Sequence, residues 1–235
     1  YKKILVIATR QIGDVLVTTP LIRAIRERWP GAQIDVLGYV NTLGMLEGNP
    51  DINQVIESSE HPNFSEYRAL ISRLFRAYEI AFVTQGSDRA HIYGLLFAKT
   101  RVGLVPSVGQ HSWWKRLLSM HTVKIDYQHQ HAVTEKLRLM EPFIDGDLFI
   151  RGVSVIPPFQ KPLPESVVES LAKEKRPLII FHATPMWRYK RWQVSAWQQL
   201  ADALISRGFC IVLTGSATAQ DIELNAQIAA IRKHV

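Results

Sequence analysis

The sequence holds one cysteine, Cys210, in 235 residues. A lone thiol excludes an internal disulfide framework and suits a reducing cytoplasm. Set in an apolar run, it reads as a core residue. No uninterrupted apolar stretch reaches the roughly 18 residues that a spanning helix needs. The start, Tyr1-Lys2-Lys3, is charged, and the apolar run after it has only five residues. That is too short for a signal peptide and fits a first buried strand. The chain does not open on Met, so a trimmed start is expected. Neither G-x-G-x-x-G nor G-x-x-x-x-G-K-[ST] occurs, which argues against a dinucleotide fingerprint and a P-loop. Zinc-finger spacings, nucleic-acid motifs and long Lys/Arg runs are missing too, so nucleic acid is not an expected partner.

What is present is ordinary for a globular chain: 47% hydrophobic, 21% charged and 9% aromatic residues. The length allows one large domain or two modest ones, each with a core. The 28 Lys and Arg exceed the 21 Asp and Glu, for a net charge of +7. Such a balance favours anionic partners: nucleic acid, acidic membrane surfaces or phosphorylated substrates. Charge alone does not choose among them.

Apolar runs alternate with longer amphipathic segments. Strands are predicted over residues 3–9, 33–37, 55–56, 80–84 and 101–104, and helices over 14–29, 43–48, 64–77, 89–98 and 132–143. Trp29-Pro30-Gly31 closes the first long helix. The alternation predicts an α/β fold, a mostly parallel sheet covered by helices. Pro157, Pro158, Pro162 and Pro164 then punctuate a segment with little helical pattern. We read 1–155 as a first domain, 156–164 as a linker and 165–235 as part of a second domain. There, helices are predicted over 165–173, 194–207 and 221–233, with strands over 178–182 and 210–214. The second unit is expected to stop partway through an α/β domain.

Two loops carry candidate chemistry. Arg10-Gln11-Ile12-Gly13-Asp14 follows the first strand, where open parallel sheets hold ligands. Gly13 allows a ligand close to the backbone. Asp14 projects from a helix start, where a carboxylate either caps the helix or fills its first turn, a gain of roughly 0.5–2 kcal/mol, or does chemistry. The second loop, residues 182–192, links a strand to a helix in the second unit. Thr184 can donate to a phosphate oxygen, Lys190 can neutralise a diphosphate, and Arg188 or Arg191 can add charge. The same residues also make an ordinary solvated basic loop with two tryptophans on its rim.

Other features have plainer readings beside sharper ones. His111-Ser112-Trp113-Trp114-Lys115-Arg116-Leu117-Leu118 mixes aromatics with cations. It reads as a membrane-interface patch or as a helix with buried Trp and snorkelling Lys and Arg. His129 and His131 lack a third ligand at a supporting distance, so no metal site is expected, and His131 sits just before a helix. The spacing of Trp187, Trp192 and Trp197 reads as packing.

Gly13-Asp14-Val15-Leu16-Val17-Thr18-Thr19-Pro20-Leu21-Ile22 resembles the opening motif of glycosyltransferase family 9, the ADP-heptose:lipopolysaccharide heptosyltransferases. Ile34-Asp35-Val36-Leu37, Asn49-Pro50-Asp51-Ile52, Gln85-Gly86 and Arg101-Val102-Gly103-Leu104 follow in the family's order. His182-Ala183-Thr184 with Lys190-x-Trp192 resembles its donor-phosphate loop. That loop's spacing, with Arg10 before Gly13-Asp14, is most similar to the branch adding a third inner-core heptose.

The resemblance implies a GT-B fold of two facing Rossmann-like domains. It implies an inverting transferase that moves heptose from ADP-heptose to the lipopolysaccharide inner core, with no metal or other cofactor. The expected location is the cytoplasm, with peripheral contact at the inner face of the inner membrane. Asp14 is implied as general base. Arg10, Gly13, Gln85 and Arg89 are implied as acceptor contacts, and Thr184, Arg188 and Lys190 as donor contacts. The family's Asp-Ser-Gly-Pro-x-His donor motif does not occur in the 235 residues, so a piece of a longer enzyme is expected. A related transferase using another nucleotide sugar and a non-catalytic basic module for anionic glycolipid or nucleic acid also fit the residues.

Overall fold

In the computed structural model, Ile4, Leu5, Val6 and Ile7 of the first strand are wholly buried. Burial on both faces is the condition of a central strand in a parallel sheet. The structure describes residues 1–106, 112–126, 128–144, 154–185 and 187–230, without the side chain of Arg188. It divides into Tyr1–Gln160 and Lys161–Val235.

In the first unit, β1 (Lys3–Ala8), β2 (Gln33–Tyr39), β3 (Gln54–Ser58), β4 (Tyr78–Val83), β5 (Ala98–Pro106) and β6 (His121–Ile125) form one sheet. Its order is β3-β2-β1-β4-β5-β6, and every pairing is parallel. Leu5 lies opposite both Asp35 and Ala81. One face packs Ile4, Val6, Ile34 and Val36 against Leu21, Ile22 and Ile25. The other packs Leu5 and Ile7 against Leu74, Tyr93 and Phe97. Each such side chain contributes about 1.5–3 kcal/mol by leaving water. Strand order reverses between β1 and β4, which opens a crevice at their carboxyl ends.

The helix predicted over 14–29 is instead two, α1 (Ile12–Leu16) and α2 (Thr19–Arg28). Pro20 has no N–H to give the Leu16 carbonyl, and its ring crowds that carbonyl. Two hydroxyls fill the gap: Thr18 Oγ1 donates to Asp14 O at 2.7 Å and Thr19 Oγ1 to Leu16 O at 2.8 Å. The next helices are α3 (Phe64–Leu74), α4 (Asp88–Phe97) and α5 (Trp113–Leu117). α3 stops short of its predicted end because the chain turns at Arg76, whose φ is 53°. The helix predicted over 132–143 is α6 (Ala132–Leu137) followed by a 3-10 turn, Arg138–Phe143, which contains Pro142. β6 was not predicted; it is a short edge strand with Lys124 pointing outward, a charge that discourages edge pairing.

The second unit holds α7 (Glu165–Ala172), β7 (Leu178–His182), α8 (Val194–Ile205), β8 (Cys210–Thr214) and α9 (Ala219–Ala229). β7 and β8 pair in parallel. Cys210 is only half-buried, not the core residue expected from its apolar neighbours. No helix among the described residues is long and apolar enough to cross a membrane.

Candidate functional site

Asp14 stands at the switch between β1 and β4, in the first turn of α1. It does not cap that helix: the N-cap is Gln11, and no side chain caps it. Its Oδ2 lies 3.2 Å from Arg10 Nε, and about a third of its side chain remains exposed. Asp14 therefore fills the first turn without capping it, as a carboxylate paired with an arginine and partly open to solvent. At Gly13 an added Cβ would meet nothing within 4 Å. Packing does not demand glycine there, and the space beside Asp14 is free for a ligand.

Gln85 follows β4 and is buried. Its Nε2 donates to Thr9 Oγ1 across the crevice floor, and its Oε1 has no partner among the described residues. Thr84 Oγ1 donates to Ile7 O at 2.9 Å, so the ends of β1 and β4 are stitched together. Arg89, on the first turn of α4, reaches the other way. Its guanidinium donates to Glu60 O and to Tyr39 Oη, each at 2.6 Å. Arg10, Gly13 and Asp14 thus gather at the crevice, Gln85 forms its floor, and Arg89 braces the end of β2.

Lys136 escaped sequence reasoning. It is a nearly fully buried lysine on α6. Burial pushes its ammonium below the ordinary value, and the charges of Asp14 and Glu135 pull it back. Glu135 is buried beside it and accepts from the Asp126 amide. A lysine four residues before Met140 on an otherwise apolar stripe was the available signal. His131 caps α6, its Nδ1 accepting from Val133 N at 3.3 Å, while His129 pairs with Asp126 at 2.9 Å.

In the second unit, Thr184 is buried, and its hydroxyl lies close enough to the Asp221 carboxyl to help the Ser216 hydroxyl hold it ionised. Thr184 Oγ1 ends 3.0 Å from where a Cβ on Gly215 would stand, so glycine after β8 leaves room for that hydroxyl. Asp221 lies nearby on α9; the Ser216 hydroxyl, donating at 2.6 Å, holds its carboxyl below the usual range. Lys190 is exposed, with its ammonium 5.9 Å from the Tyr189 ring centre. The side chain of Arg188 lies outside the described residues. Trp192 packs edge-on against Trp197 at 5.3 Å, whereas Trp187 stays exposed beside Tyr189.

The sequence profile of glycosyltransferase family 9 (heptosyltransferase) matches residues 67–234. Lipopolysaccharide heptosyltransferase 3 of Escherichia coli (strain K12) is 26% identical over 228 residues, covering 94% of this chain and 65% of the relative. Lipooligosaccharide heptosyltransferase 2 of Haemophilus ducreyi is 25% identical over 242 residues, with coverage of 94% and 65%. The chain thus spans about 65% of the length of these curated relatives. Among solved structures, the glycosyl transferase family 9 protein of Veillonella parvula matches with a TM-score of 0.77 at 19% identity, over 99% of this chain and 67% of that one. The ADP-heptose lipopolysaccharide heptosyltransferase II of E. coli matches with a TM-score of 0.68 at 24% identity, over 99% and 69%. These likenesses establish the fold.

Proposed function

The chain belongs to glycosyltransferase family 9, the heptosyltransferase family, and on that premise we propose that its protein transfers heptose from ADP-heptose to the lipopolysaccharide inner core. The observation that carries this reading is Asp14 beside the open space at Gly13, at the sheet's switch point. In the proposed step, Asp14 takes the proton of an acceptor hydroxyl as that oxygen attacks the anomeric carbon. The bond from that carbon to the diphosphate breaks, and ADP leaves with the electron pair. Attack opposite the leaving group inverts the anomeric centre. The transition state resembles an oxocarbenium ion, while negative charge grows on the diphosphate.

Thr184 and Lys190 suit that leaving group, one as a buried hydroxyl just after β7 and the other as an exposed cation. Arg188 joins them on the family resemblance. Arg10 and Gln85 serve the acceptor, a carboxylated and often phosphorylated saccharide, while Arg89, expected as a third contact, is engaged with Glu60 and Tyr39. No metal is assigned a role. The proposed workplace is the cytoplasm, at the inner face of the inner membrane.

The test is heptose transfer by the full-length protein, compared with its Asp14→Ala variant. A fall in kcat of about 10² or more with donor binding intact supports the base. Wild-type turnover in the variant removes Asp14 from the chemistry. Transfer by neither protein, with release of ADP from no acceptor tried, sends the reading to another nucleotide sugar.

A further inference from the structure

α5 is built inside out. Its lysine is buried, while Trp113 and Leu117 face water. Lys115 is 5% exposed; its ammonium donates to Gly86 O at 2.6 Å and pairs with Asp88 Oδ1 at 2.8 Å. On the opposite side, Trp113 is 65% and Leu117 73% exposed. Four residues apart, they share one face, and Leu118 and Met120 extend the exposed apolar surface. The snorkelling arrangement open to this segment in the sequence is thereby reversed, although Trp114 does turn inward against His91.

The patch cannot hide by rolling over, because both ends of α5 are tied. Lys115 anchors it to the loop after β4. At the other end the Arg101 guanidinium donates to Leu118 O, and Met120 N donates to Arg101 O at 2.8 Å. Arg116 is exposed beside that face, and Lys124 is exposed on β6, the edge strand that follows α5 in the chain.

We propose that the Trp113–Leu117 face of α5, with Arg116 beside it, docks the protein on an anionic phospholipid bilayer. Indole and leucine suit the headgroup boundary, and Arg116 together with the chain's net charge of +7 matches the negative sign of the lipid. The anchor points to the same place as the chemistry: Lys115 holds Gly86, the residue after Gln85 of the crevice floor. Docking there would keep the crevice close to the bilayer. This deepens the proposed function, since it rests on an acceptor anchored in lipid.

The experiment is flotation of the full-length protein with phosphatidylcholine vesicles, with and without phosphatidylglycerol, for wild type, Trp113→Ser/Leu117→Ser and Arg116→Glu. Wild type should float with the anionic vesicles. The double variant should lose at least about tenfold in partitioning, and Arg116→Glu should bind more weakly and with less salt dependence. Melting temperature and kcat on a delipidated core saccharide should stay unchanged in all three. Wild type left in the soluble fraction, or a double variant that floats equally well, overturns the proposal. So does a wild-type dimer that the double variant dissolves, which assigns the face to a second copy. Flotation without any sugar transfer leaves the surface standing and removes the heptosyltransferase reading instead.

Discussion

Arg10 Nε lies 3.2 Å from Asp14 Oδ2, four residues further along the chain. With both side chains well exposed, the pair contributes at most about 1 kcal/mol to stability. Its effect should be on orientation. Arg10→Ala should lower kcat between about tenfold and 10²-fold, the scale of a misplaced catalytic group, with little change in melting temperature. Arg10→Lys should recover part of the loss. Steady-state kinetics beside thermal melts would check this, and a variant that loses stability and activity in parallel would count against it.

Two glycines should respond oppositely to alanine. A Cβ at Gly13 meets open space, whereas at Gly103 it comes within 2.8 Å of His91 Cε1 and 3.2 Å of Val83 Cβ. Gly13→Ala should leave denaturation unchanged and raise the acceptor KM. Gly103→Ala should cost about 1–3 kcal/mol by overpacking. Urea titrations of both variants decide it.

His91 is buried, with Nε2 2.9 Å from Leu104 O. Burial pushes its pKa below the ordinary value. The unfolded chain therefore binds this proton more readily, and stability falls as pH drops below about 6.5. His91→Gln keeps a donor for Leu104 and should flatten that acid limb in a pH series of urea melts.

The same sign governs Lys136 at the alkaline end. Its folded pKa is lowered by burial, so the unfolded state binds the proton more tightly. Stability should rise with pH as it approaches about 10.4, the free lysine value. Lys136→Met should abolish this rise; an unchanged slope in the variant would mean that another group titrates there.

Lys190 should matter to the donor alone. Because it is exposed, Lys190→Ala should keep the wild-type melting temperature while weakening ADP-heptose binding about tenfold or more, as expected for losing a charge-assisted contact. Calorimetric titration with ADP would show it. Undiminished affinity would leave the loop as a solvated surface.

The sheet was legible because its strands are short apolar runs between turn residues. β7 and β8 lie where their sequence places them, and the alternation with helices announces parallel pairing. Asp14 and Gly13 were legible by position after the first strand. β6 was not, since only Val123 and Ile125 of its five residues are buried. Nor was the break before Pro20, where a helical pattern continues through a residue that cannot continue the hydrogen bonds.

The sequence by itself determined the α/β alternation, the family and the loop that carries Asp14, because these depend on local periodicity and on residue types at fixed spacing. The tertiary structure decided which side chains are used. Gln85 finds Thr9 76 residues away, Lys115 finds Gly86 29 residues away, and Lys136 lies buried within reach of Asp14's charge. Whether a lysine snorkels or anchors, and whether a tryptophan is covered or left in water, depends on the partners that folding brings alongside.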